Sequence, residues 1–236
     1  MAKSARPWIV TRHDPIEKLE ENLWTVQGAV PRIPFTRRMF IIKRADGSLM
    51  FSGTAIPLDD AALAEVTAWG RPSLLVVPHD QHMIDARPFA EKLGLRVYGP
   101  KACEAKMRER AEIAGLLEDL PADPTVEVAP VAGTKSGEPA IIVRSGGGQR
   151  LSLLVSDAIQ NNPRASVGML PRLMGFAGGP KVVPVFKLLF TKDRAALKRQ
   201  IDAWSDLPGL VRVVPCHGDV VADGAGAALK AAAAAL

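Results

Sequence analysis

From Asn22 onward, apolar and polar positions alternate every second residue in short runs. Leu23-Trp24-Thr25-Val26, Arg38-Met39-Phe40-Ile41-Ile42-Lys43 and Leu49-Met50-Phe51 therefore read as strands, the last two joined by the turn Ala45-Asp46-Gly47-Ser48. The pattern predicts an antiparallel layer. The period then lengthens: after Asp59-Asp60, Ala62, Leu63 and Val66 fall at three- and four-residue spacing until Gly70-Arg71-Pro72, which predicts a capped helix. Leu74-Leu75-Val76-Val77 is apolar throughout, as a strand buried on both faces would be, and runs into the polar loop Pro78-His79-Asp80-Gln81-His82. A helix through Phe89-Ala90-Glu91-Lys92-Leu93 stopped by Gly94, a strand at Arg96-Val97-Tyr98 and a helix over Lys101 to Leu117 complete this half.

Strand patterning resumes after Pro124 with Val126-Glu127-Val128, Ala140-Ile141-Ile142-Val143 and Leu151-Ser152-Leu153-Leu154-Val155, the last ending at Ser156-Asp157. Residues 161–184 are rich in Gly, Pro and Met and weakly periodic, which predicts a long surface segment with some helix, a lid. An amphipathic helix from Asp193 to Asp206 precedes the strand Val211-Arg212-Val213-Val214, which stops at Pro215-Cys216-His217-Gly218-Asp219. The Ala-rich tail reads as a terminal helix with a fraying end. Sheets near both ends of the chain, with helices outside them, predict a mixed α/β four-layer sandwich, helix-sheet-sheet-helix, in one domain spanning residues 1–236.

Composition narrows the class. With 236 residues, 47% hydrophobic and 23% charged, the chain is neither disordered nor a coiled coil. No apolar run reaches the roughly 18 to 20 residues of a membrane span, and the start, Met1 to Pro7, leads into no apolar leader core. A cytoplasmic protein with no membrane partner is expected. Two cysteines, Cys103 and Cys216, make neither a disulfide framework nor a metal knuckle. The net charge of +5 admits anionic partners. However, the clusters Arg37-Arg38, Lys43-Arg44 and Lys198-Arg199 carry no nucleic-acid signature and read as solvated faces, so no nucleic acid is expected.

The chemistry gathers at strand ends. Three of the four histidines, His79, His82 and His217, follow apolar strands in loops that contain Asp. A neutral imidazole is a good ligand for a borderline metal, and Asp157 at a third strand end would complete an open site with room for water. Because 75 residues separate His82 from Asp157 and 60 separate Asp157 from His217, only a fold can assemble them. The structural alternatives are hydrogen bonding of the histidines to strand-end carbonyls and capping by Asp157. Asp80, Asp85 and Asp219 read as solvated or capping carboxylates, Cys216 as a small core residue, and Met169 to Met174 as hydrophobic packing.

The order of elements, the Pro78-His79-Asp80-Gln81-His82 loop, the Leu154-Val155-Ser156-Asp157 strand end and the Val214-Pro215-Cys216-His217-Gly218 strand end together resemble the metallo-β-lactamase superfamily over nearly the whole chain. The segment from His13-Asp14-Pro15-Ile16 through Tyr98-Gly99-Pro100 resembles an uncharacterised bacterial and plant branch of it. The resemblance implies an αββα sandwich, one or two zinc or iron ions between the sheets, and hydrolytic chemistry.

Carried over position by position, the resemblance is incomplete. The superfamily's His-x-His-x-Asp-His loop falls on Val77, His79, Gln81 and His82, and its next ligand, a His, falls near Ala132-Gly133-Thr134. An Asp that in the superfamily supports the metal ligands is replaced by Ser52. What the resemblance retains is one metal position, His82, Asp157 and His217, with His79 left for proton transfer or substrate polarisation. The implied cofactor is one Zn²⁺, with Fe and Mn as lesser options. Two functions follow: a metal-dependent hydrolase-like protein acting on an ester or carbonyl substrate, and a metal-free descendant binding a small molecule or protein partner. Neither substrate nor oligomeric state is legible.

Overall fold

The computed structural model describes residues 7–30 and 35–236, so the amino-terminal residues read for a leader lie outside the described residues. Two sheets stack face to face. In the first, β1 (Glu17–Glu20), β2 (Leu23–Ala29), β3 (Thr36–Lys43) and β4 (Ser48–Gly53) pair antiparallel in chain order. β5 (Arg71–Val76), β6 (Arg96–Gly99) and the two-residue β7 (Gly115–Leu116) then extend the sheet in parallel. In the second sheet, β8 (Val126–Pro130), β9 (Pro139–Ser145) and β10 (Arg150–Val155) pair antiparallel, and β11 (Leu210–Pro215) joins β10 in parallel.

Two-residue alternation sorts the side chains between layers. From β3, Phe40 and Ile42 point between the sheets and meet Ile141, Val143, Leu154 and Val214 of the second sheet. Met39 and Ile41 point outward, to the core that also holds Val66 of α1 (Asp60–Trp69) and Phe89 of α2 (Ala86–Leu93). The second sheet sends Leu151, Leu153 and Val155 outward against Leu197 and Ile201 of α5 (Arg194–Ser205) and Leu229 of α6 (Ala225–Ala234). Helices thus cover both outer faces, as the αββα pattern requires.

Two expectations are corrected. The helix expected over residues 101–117 is a 3-10 turn, Lys101–Cys103, followed by the short α3, Glu104–Arg108. The chain then leaves helical geometry so that Gly115 can pair with Tyr98, where an added Cβ would come within 2.9 Å of the Tyr98 ring. The Ala-rich tail forms the terminal helix α6, whose Leu229, Ala232 and Ala233 are buried. Met169 to Met174 does not pack: Met169, Leu170, Leu173 and Met174 of and after α4 (Met169–Leu173) are exposed.

Candidate metal centre

All the candidate residues lie at carboxyl ends of strands. β5 delivers His79, whose Nδ1 accepts from the Gln81 N–H at 3.3 Å and so caps the 3-10 turn Asp80–His82. On the second sheet the parallel register of Val155 against Pro215 puts Asp157 beside His217. After His217 the chain turns through Gly218 with φ +91, where a Cβ would lie 1.9 Å from the Asn161 carbonyl oxygen. Only glycine permits that approach.

The fold brings the four predicted residues together around one carboxylate. Asp157 Oδ2 lies 2.9 Å from His79 Nε2, and Oδ1 lies 3.1 Å from His217 Nε2 and 3.5 Å from His82 Nε2. His79 and His82 are buried and Asp157 is 19% exposed. Among the described residues, ligand atoms of His79, His82 and Asp157, and separately of His82, Cys216 and His217, fall within 4.8 Å of one another.

The outer ring nitrogens decide what each imidazole can do. His217 Nδ1 donates to the Thr36 carbonyl at 2.7 Å, which in the neutral ring leaves a lone pair on Nε2 facing Asp157. His82 Nδ1 is 3.0 Å from Thr54 Oγ1, which is 3.3 Å from Cys216 Sγ, itself 3.2 Å from the Arg38 carbonyl oxygen. Donation along that chain from His82 to Thr54 to Cys216 to the carbonyl uses every contact, and it again leaves the Nε2 lone pair toward Asp157. His79 is reversed: its Nδ1 accepts from Gln81, so Nε2 carries the proton and donates to Asp157 Oδ2.

Charge divides the rings differently. Burial pushes His82 down to about 4, overriding the nearby Asp157. Burial also works against protonation of His79 and His217, but there the hydrogen bond and charge of Asp157 outweigh it and raise both above the ordinary imidazole value. Asp157 is held well below the carboxylate range: burial opposes this, and the facing imidazoles overcome it. A lone pair on His217 Nε2 at 3.1 Å from an ionised Asp157 needs a positive charge between the two, a proton or a metal ion. Two ligands bound tetrahedrally at zinc distances lie about 3.3 Å apart. The 3.1 and 3.5 Å separations of His217 and His82 from Oδ1 bracket that value, and His79, with His82 and Asp157, makes the group of imidazole and carboxylate ligand atoms that all lie within 4.8 Å of one another.

Two residues of the site, Glu138 and Thr54, carry no signal in the sequence. Glu138, at the entry to β9, is 0% exposed. Its Oε1 accepts from the Ala158 N–H at 2.7 Å, while Oε2 has no hydrogen-bond partner and lies 4.0 Å from His79 Nε2. Burial, then the negative Asp157, raise Glu138 to about 7. Thr54 supplies the support expected near Ser52, whose hydroxyl instead donates to the Val76 carbonyl at 2.9 Å. Thr134 bonds its own turn, to the Val131 carbonyl. Cys216 is a buried core thiol that burial pushes up to about 11, and its sulfur sits on the Nδ1 side of His82, 3.8 Å away.

Two surface assignments are also corrected. Arg37 and Arg38 are buried, and Asp85, read as solvated or capping, is buried against Arg37 at 2.7 Å. Beside the cluster lies a cavity of about 380 Å³. His82, Asp157, His217 and Arg37 form its polar side, and Val30, Phe35, Phe176, Val183, Phe186 and Phe190 contribute to an apolar wall.

This arrangement is that of the metallo-β-lactamase fold. Solved structures similar to this chain include metallo-β-lactamases from Pontibacter korlensis (10% identity, TM-score 0.65, covering 95% of this chain and 100% of that one) and Hirschia baltica (16%, 0.58, 94% and 97%). Another, from Erythrobacter litoralis, holds β-mercaptoethanol in its active site (12%, 0.60, 94% and 96%). No family model matches the sequence, and no curated protein matches it. At these identities the likeness establishes the fold. Among the described residues no helix is long and apolar enough to cross a membrane.

Proposed function

We propose that this protein is a metal-dependent hydrolase acting on an ester or related carbonyl compound with a bulky apolar group. One observation carries the reading: three imidazole Nε2 atoms converge on the Asp157 carboxylate at 2.9, 3.1 and 3.5 Å, at the edge of an apolar cavity. His82, Asp157 and His217 would hold a single ion, Zn²⁺ best suiting the mixed nitrogen and oxygen donors, with Fe or Mn as alternatives. When bound, such an ion supplies Lewis acidity toward water and toward a carbonyl oxygen.

The chain's own residues supply the rest. The apolar wall holds the hydrophobic part of the substrate and excludes water from it, while the reacting carbonyl faces the polar side. In hydrolysis an oxygen of water bonds to the carbonyl carbon, the ester C–O bond breaks, and a proton moves from water to the leaving oxygen. His79 and Asp157 hold a proton between Nε2 and Oδ2, and this pair is the nearest group placed to carry that transfer.

The test is metal per chain by elemental analysis on protein purified without chelators, for the unaltered chain, His82→Ala and His217→Ala. A screen of aryl esters and lactones with apolar acyl groups follows. Near one equivalent, lost in both variants with the fold retained by circular dichroism, is the expected result. Metal content near zero in all three proteins, with no turnover, would leave the cleft as a binding site and end the hydrolase reading.

A further inference from the structure

The stretch from Asn161 to Lys192 contains five Lys or Arg and no Asp or Glu, so it carries a charge equal to the whole net +5 of the chain, and the remainder balances. The same stretch holds six of the eight exposed large hydrophobic side chains of the described residues: Met169, Leu170, Leu173, Met174, Leu188 and Leu189, each 51% to 79% exposed. Its other side is apolar too, because Phe176, Val183, Phe186 and Phe190 form part of the cavity wall. A surface helix of a water-soluble domain presents one apolar stripe and a polar back. Here both sides are apolar, and every charged residue of the stretch is cationic.

The two helical turns that bear the exposed leucines, α4 and the π-helical turn Phe186–Phe190, are tied at their base. Pro184 packs so close to Gly175 that a Cβ there would lie 2.8 Å from the proline ring. Arg164 and Lys187 approach Lys181 closely enough that, after partial burial, their charges lower its pKa. Apolar and basic side chains are therefore interleaved along one exposed segment. A second copy of the chain would set this cationic face against itself, since a two-fold interface repeats the same patch on both sides. A bilayer with anionic headgroups complements both features: the leucine and methionine side chains enter the acyl boundary while Lys and Arg meet phosphate.

We propose that residues 161–192 dock this protein on a bilayer surface rich in anionic lipid, with the apolar cavity behind the segment receiving its acyl compound from that surface. The docking itself needs neither the metal nor hydrolysis.

Flotation of the full chain with vesicles tests it. One set is phosphatidylcholine alone, and the other contains added phosphatidylglycerol. The protein is expected to float with the anionic vesicles, to stay behind with the neutral ones, and to be released at high salt. Arg164→Ala and Lys192→Ala, both at exposed positions, should each weaken binding about fivefold. The quadruple change Leu170→Ser, Leu173→Ser, Leu188→Ser, Leu189→Ser should abolish it with circular dichroism unchanged. No flotation with either vesicle, or flotation indifferent to both sets of changes, would overturn the proposal. So would a dimer in light scattering that the serine variant dissolves, which would make the face an interface between copies. Metal content is expected to be the same in every variant, so failure here leaves the hydrolase reading standing, and failure of that reading leaves this one testable.

Discussion

The two oxygens of Asp157 face different chemistry. On the Oδ1 side stand His82 and His217, whose outer nitrogens are committed to Thr54 and to the Thr36 carbonyl, so that each ring, when neutral, offers a lone pair inward. On the Oδ2 side stands His79, whose outer nitrogen is an acceptor and whose inner nitrogen therefore carries hydrogen, with the buried Glu138 beyond it. One carboxylate thus separates a half built for a cation from a half built for a proton. The direction of a single hydrogen bond on the far side of each ring sets this division, more than the ring's identity.

Asp157→Asn should break the comparison outright. Asparagine keeps the volume but removes the charge that both halves share, so metal affinity should fall by more than the roughly 10- to 100-fold that loss of an outer partner costs. Titration with Zn²⁺ followed by calorimetry measures this. An affinity within threefold of the parent would show that the carboxylate is not a ligand. His79→Gln should separate the halves: metal content is kept, while turnover of the best ester found drops about 10²- to 10⁴-fold, the range of a lost proton-transfer group. Loss of metal in this variant would place His79 among the ligands.

Thr54→Val is the next smaller change and acts on the Oδ1 half alone. It leaves His82 in place but removes the hydroxyl that fixes its Nδ1, so Zn²⁺ affinity should weaken about 10- to 100-fold. An unchanged affinity would mean that the chain through Cys216 does not orient the ring.

How far the sequence could be read depended on what each residue's neighbours in the chain disclose. The unbroken apolar run Leu74 to Val77 revealed β5 as a strand buried on both faces, and the strand-end positions of His79, His82, Asp157 and His217 revealed the cluster, because polar residues directly after apolar strands are visible in one dimension. Glu138 was not visible. It follows Gly137 and precedes Pro139 in what reads as an ordinary loop, and its burial comes from the Ala158 N–H twenty residues away. Arg37 and Asp85 misled for the same reason: each is a charge that belongs on the surface until its partner, 48 residues distant in the chain, is brought to 2.7 Å. The helix expected through Leu117 failed because a strand pairing, Tyr98 with Gly115, outweighed local helical spacing.

Glu138→Gln makes the smallest and most specific change, confined to the Oδ2 half of the metal-free protein. The folded-state value of about 7 lies above the unfolded value of about 4.3, so between these two pH values the folded protein holds a proton that the unfolded chain has released. Stability from this group is therefore fully present below the unfolded value and declines as pH rises toward 7, with a slope of at most about 1.4 kcal/mol per pH unit. Glutamine reproduces the neutral side chain and cannot lose a proton, so the variant should melt close to the parent at pH 4.5 and above it at pH 7.5. Comparing the two proteins removes the His79, His217 and Asp157 contributions, to the extent that their own titrations are unmoved. Thermal melts of the chelator-treated proteins across this range decide it. Parallel curves would mean that Glu138 is ionised throughout, and that the half assigned to a proton instead holds a second buried anion in want of a cation.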